Sequence, residues 1–172
     1  MGSGDTPRTR QPVLAPPRTG HAASVETMNS HAHTRGFAIA HPDDVKDFYE
    51  GSDVPGEFRR LGDALGCEQL AVTLVRVPPH SDFEQGTGHF HDEIEELYLL
   101  TRGTLTMRFG DEVETVTSPA AIRVDAKTPR SHRNEGGEPV EMWAISRKDE
   151  RENGTKIDDF WEASPDAKQS TQ

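Results

Sequence analysis

EELYLLTRGTLTMRFGDEVETVTSPAAIRV (residues 95–124) decides the fold. Short runs rich in Leu, Val, Thr and aromatic residues end at Gly103, at Gly110-Asp111 and at Ser118-Pro119, each a turn signal. No helix-length stretch separates them, so neighbouring strands connect through tight turns and lie antiparallel. The pattern extends both ways. Upstream, QLAVTLVRV (69–77) stops at Pro78-Pro79; downstream, AIRV (121–124) stops near Lys127-Thr128-Pro129, and PVEMWAIS (139–146) follows Gly136-Gly137. Short strands recurring at about 8 to 12 residues predict an all-β antiparallel sandwich or small barrel and exclude a parallel α/β sheet.

The flanks read differently. Residues 1–35 are rich in Pro, Ser, Thr and Gly without apolar periodicity, so a disordered tail is expected there. His31 and His33 belong to that tail, with no strand or carboxylate run after them. Residues 36–66 are expected to form a helical lead-in packed on the barrel. PDDVKDFYE (42–50) has proline and acids in its first turn, and GEFRRLGDALG (56–66) places Phe58, Leu61 and Leu65 at helical spacing. The barrel is expected over 67–148 and a charged tail over 149–172, where Ile157, Phe160 and Trp161 offer a segment that docks back onto the sheet.

Composition excludes several functions. The 172 residues carry 30 acids against 19 Lys and Arg, a net charge of −11, which argues against nucleic acid or an anionic membrane as a partner. No apolar run approaches the roughly 18 residues of a membrane span. The polar N-terminus does not read as a secretory signal, which gives Asn153-Gly154-Thr155 little weight as a glycosylation acceptor. Cys67 is the single cysteine, so no intramolecular disulfide forms and a reducing cytoplasm is the expected location. It reads as a buried structural thiol, since LGCEQLAV offers no base to activate it.

The chemistry sits just upstream of the opening stretch, in GHFHDEIEE (88–96). Residues two apart on a strand point to one face, so His89 and His91 can aim both imidazoles at one point. Glu96 opens the next strand, and a bend between the two brings its carboxylate to the same place. Two imidazoles and a carboxylate suit a divalent transition metal better than calcium or magnesium.

In an all-β chain, His89-Phe90-His91, four residues, Glu96, six residues and Gly103 resemble the first motif of the cupin superfamily. The family's leading glycine is Phe83 here. Its second motif, G-x5-P-x-G-x2-H-x3-N, falls on residues 119–134, where only Asn134 matches; Pro119, Asp125 and Lys127 stand for Gly, Pro and Gly. Arg130 occupies the place of the ligand histidine, and a guanidinium cannot ligate. His132, two residues on, shares its face in a regular strand. The resemblance implies a small β-barrel of the double-stranded β-helix type, commonly a homodimer, with a metal in its mouth. The expected ligands are His89, His91, Glu96 and His132. The alternatives are three protein ligands without His132, or no metal and an anion held by Arg130. Arg130 and Tyr98 are expected to contact substrate, with Met107 and Trp143 lining the pocket beside Tyr98; no residue is singled out as catalytic.

The implied function is that of a metal-dependent enzyme with one Fe, Mn, Ni, Zn, Cu or Co ion, acting on a small polar or aromatic metabolite. An oxygenase-type oxidoreductase is favoured. The alternatives are a sugar isomerase and a non-catalytic ligand-binding or sensor protein.

Overall fold

The computed structural model describes residues 36–149, 151 and 154–162. The tail expected over 1–35, and the part of the charged C-terminal stretch beyond 162, lie outside the described residues. Among the described residues ten strands form two antiparallel sheets: β1 (Glu57–Arg60), β2 (Leu70–Val77), β3 (Gly88–Phe90), β4 (Glu96–Arg102), β5 (Thr104–Phe109), β6 (Glu112–Thr117), β7 (Ala120–Val124), β8 (Arg130–Arg133), β9 (Val140–Arg147) and β10 (Thr155–Ile157). One sheet runs β1-β2-β9-β4-β7 and the other β10-β3-β8-β5-β6. Alternation along each strand turns Val75, Val77, Leu100, Leu105, Met107, Val140 and Met142 inward, where they form one buried core between the sheets. Asn134 pins the end opposite the mouth, donating through its amide nitrogen to the carbonyls of Val77, Pro78 and Glu138 at 2.8–3.0 Å.

The lead-in departs from its expected helical form. Only Pro42–Asp44, a 3-10 turn, and α1 (Leu61–Ala64), a single α turn, are helical in it. Between them Glu57–Arg60 is a strand, with Phe58 opposite Val75 and Arg60 opposite Thr73. The exposed edge of β2 offers unpaired backbone groups. Pairing with them, and packing Phe58 edge-on to Tyr49 and stacked on Phe83, outweighs a helical spacing carried by three residues. Leu61 still serves an apolar role, buried at 1% exposure where α1 packs on β2.

Two pocket expectations also change. Trp143 lies opposite Leu74 and Leu99, facing away from the second sheet, because its neighbours Met142 and Ala144 take the inward positions. Met107 is fully buried in the core. Cys67 is half-buried.

Candidate metal centre

β3 holds His89 and ends at Phe90, with His91 the first residue beyond it, and β4 begins with Glu96, so the crossing from one sheet to the other bends between them. His89, His91 and Glu96 each present a donor atom, and the three atoms lie within 4.8 Å of one another. His91 Nε2 stands 3.5 Å from Glu96 Oε1, and His89 Nε2 stands 3.8 Å from Glu96 Oε2. The ring centroids of the two histidines are 5.7 Å apart and nearly perpendicular. The turn at Lys127 supports this corner. Its amide donates to the His91 carbonyl at 2.6 Å, and Lys127 holds φ +67° where the family motif has glycine.

Arg130 stands beside this group, directly opposite His89 across the β3–β8 pairing and 1% exposed. Its guanidinium donates to Glu96 Oε2, to the Tyr98 phenol oxygen at 3.3 Å and to the Thr128 carbonyl at 3.3 Å. The Tyr98 hydroxyl donates to the same Oε2. One oxygen of Glu96 is thus held by Arg130 and Tyr98 while the other faces His91. Burial alone would raise the Glu96 carboxyl, but hydrogen bonds from His89 and His91 and the charge of Arg130 hold it well below the usual carboxylate range. Burial, then the Glu96 charge, pushes the Tyr98 phenol well above its ordinary value.

His132 does not join the three-donor cluster. Its Nδ1 meets Glu84 Oε1 at 3.0 Å, and the other oxygen of Glu84 meets His89 Nδ1 at 3.2 Å. Glu84 therefore bridges a histidine of β3 and one of β8. The loop that carries it is shaped by Asp82, which accepts from the amides of Glu84 and Gly86 and from Arg133 Nε at 2.8–3.1 Å. Burial opposes the charge of Glu84, but His132 and His89 keep its carboxyl below the ordinary value. Burial likewise opposes a charge on His89, yet Glu84 and Glu96 raise its imidazole to about 9. His132 stacks on Phe83, centroids 5.8 Å apart, and its Nε2 is buried with no hydrogen-bond partner among the described residues.

The donor set fits a divalent transition metal. Glu84 at His89 Nδ1 favours the tautomer whose Nε2 lone pair points to the cluster, the usual arrangement behind a ligating histidine. Glu84 was not legible in the sequence, since a loop acid five residues before a histidine carries no spacing signal. Phe83 was visible only as a departure from the motif.

The centre opens into a cavity of about 890 Å³ whose walls include Phe58, Phe83, Ile94 and Met142. No helix among the described residues is long and apolar enough to cross a membrane.

Residues 73–146 match the family model of the cupin domain. No curated protein matches the sequence. Among solved structures, a polyketide cyclase from Streptomyces resistomycificus aligns at 18% identity and TM-score 0.57, covering 74% of this chain and 89% of that one. A cupin-superfamily sugar phosphate isomerase from Silicibacter pomeroyi aligns at 22% identity and TM-score 0.56, covering 65% and 76%. A predicted oxalate decarboxylase from Thermotoga maritima aligns at 16% identity and TM-score 0.52, covering 64% and 98%. These likenesses are of fold.

Proposed function

From the match of residues 73–146 to the cupin domain we propose a metal-dependent enzyme acting on a small polar or aromatic metabolite in the barrel mouth, with dioxygen as co-substrate. One observation carries the reading. The place of a fourth ligand is taken by Arg130, which is turned onto Glu96 and cannot ligate. Three protein donors remain, two imidazoles and one carboxylate, a set associated with non-haem iron oxygenases because it leaves coordination positions open. A divalent ion held there supplies activation of dioxygen and of substrate oxygens.

The chain's own residues do the rest. Glu84 holds the Nδ1 proton of His89, which keeps its Nε2 lone pair available. Arg130 and Tyr98 fix the Glu96 carboxylate so that one oxygen is directed at the cluster. The aromatic wall of Phe58 and Phe83 limits water around the substrate.

Elemental analysis after dialysis tests the proposal. The expected result is close to one divalent transition metal per chain, lost in His91→Ala, with dioxygen consumed by the iron-loaded protein when an oxidisable ligand is supplied. No tight binding of Fe, Mn, Ni, Zn, Cu or Co overturns the metal reading. Metal binding without dioxygen consumption against a broad panel of metabolites leaves the ligand-binding alternative in its place.

A further inference from the structure

The inner face of the first sheet carries a row of small side chains from the metal centre to its outer edge. Register places Tyr98 opposite Ala144, Ala144 opposite Thr73, and Thr73 opposite Arg60. One step toward the mouth, Glu96 lies opposite Ser146, and Ser146 opposite Ala71. All of these residues line the cavity. Between the metal centre and Arg60 the floor is therefore Ala, Ser and Thr, which leaves room for a ligand to lie across it. Three strand spacings separate Tyr98 from Arg60, about 14 Å along the sheet, part of which the arginine side chain itself spans.

The far end is cationic. Arg60 lies over the Phe48 ring at 4.1 Å, and among the described residues no acidic side chain pairs with it. On the second sheet, Lys156 of β10 pairs with His89 of β3, so the two share a face, and Lys156 also lines the cavity. β1 and β10 are each the edge strand of their sheet, next to β2 and β3 respectively. Because Arg60 of β1 and Lys156 of β10 line one cavity, the two edges face a common opening. Among the described residues the only ion-pair partner of Lys156 is Asp158 at 2.8 Å, a solvent-exposed pair of little strength. Arg147, Lys148, Asp63 and Asp149 line the same cavity, but Arg147 pairs with Asp149 and Lys148 with Asp63, which leaves Arg60 and Lys156 as its cations not held by a lining acid.

We propose that Arg60 and Lys156 form an anion subsite at the β1/β10 edge. The ligand class is a small organic acid that offers oxygen donors to the metal at one end and a carboxylate to these cations at the other, its body lying over Ala144 and Thr73. The assignment rests on the metal reading above and adds the substrate's charge and length. A guanidinium held over the Phe48 ring is placed to meet a carboxylate through paired N–H groups.

Calorimetric titration of the full chain loaded with cobalt(II) tests this, using 3,4-dihydroxyphenylacetate and its neutral counterpart 4-methylcatechol. The acid should bind about tenfold more tightly, the worth of one good charge-assisted contact. The double variant Arg60→Gln, Lys156→Gln, both surface changes, should lose that advantage and bind 4-methylcatechol as before. Equal affinity for the two probes in the unmodified protein, or a preference that survives the double variant, overturns the subsite alone. If neither probe binds, the chelating centre fails and the subsite with it.

Discussion

Glu84 is the residue on which the centre's electrostatics turn, since a single carboxylate serves His89 and His132 at once. Glu84→Gln should weaken metal binding about 10- to 100-fold, the usual cost of losing an outer-shell partner. His89→Ala or His91→Ala should exceed that range, whereas His132→Ala should fall below it, because its link to the cluster runs only through Glu84; competition with a chromogenic chelator measures all four. The pH response follows from His89. Its imidazole rises from 6.5 to about 9 on folding, so the charged ring stabilises the metal-free protein fully below pH 6.5, and that contribution disappears as pH climbs to 9. Metal must displace the same proton, so its affinity should increase over that window and level off above it. Urea unfolding and metal titration across pH 6 to 10 should therefore trend in opposite directions. In the sequence, His89, His91 and Glu96 were legible because spacing on adjoining strands is a local property. The partner of His132 was not, since it depends on a loop reaching over from the other side of β3.

At the scale of elements, the strand at each end of the described chain completes the mouth. The turn after β10 folds over β3 so closely that Gly88 admits no side chain, a Cβ there falling 2.6 Å from the Phe160 ring. Gly154 likewise runs 2.9 Å, by the same measure, from the His91 imidazole, in a left-handed conformation with φ +77°. Phe160 is buried at 6% exposure beneath the Arg108 guanidinium, which also donates to its carbonyl, and Trp161 donates to Ser131 Oγ at 2.9 Å. Phe160→Ala should cost about 3 kcal/mol by loss of burial. It should also lower metal affinity by loosening the strand that backs His89, a coupling read by repeating the chelator competition on the folded variant. The apolar trio Ile157, Phe160 and Trp161 stood out in a charged stretch and signalled docking. The pairing itself was illegible, because three residues of strand carry no periodicity. β1 failed for the converse reason: Phe58, Leu61 and Leu65 fit a helix, and only the vacant edge of β2, a tertiary fact, makes the first of them part of a strand.

For the molecule as a whole, the sandwich follows from alternation that is strongest where both sheets bury the same core, which is why β2, β4, β5 and β9 could be read almost to their ends, whereas the largely exposed β6 was bounded by its turns at Gly110-Asp111 and Ser118-Pro119. The order of the strands within each sheet could not be read, since antiparallel neighbours such as β2 and β9 stand far apart in the chain. Metal at a hundredfold excess over its Kd should stabilise the fold by about 2.7 kcal/mol, raising Tm by about 5 to 11 °C; chelator should reverse the shift, and His91→Ala should not respond to either. The row of Ala144, Thr73, Ala71 and Ser146 has a consequence for redesign. These positions set the gauge of the chamber without contributing to the donor cluster, so exchanging Ala144 for a longer aliphatic residue would shorten the accepted guest by roughly the reach of the added carbons and leave the metal end untouched. Ligand length and metal chemistry are thereby separate dials, turned by different strands.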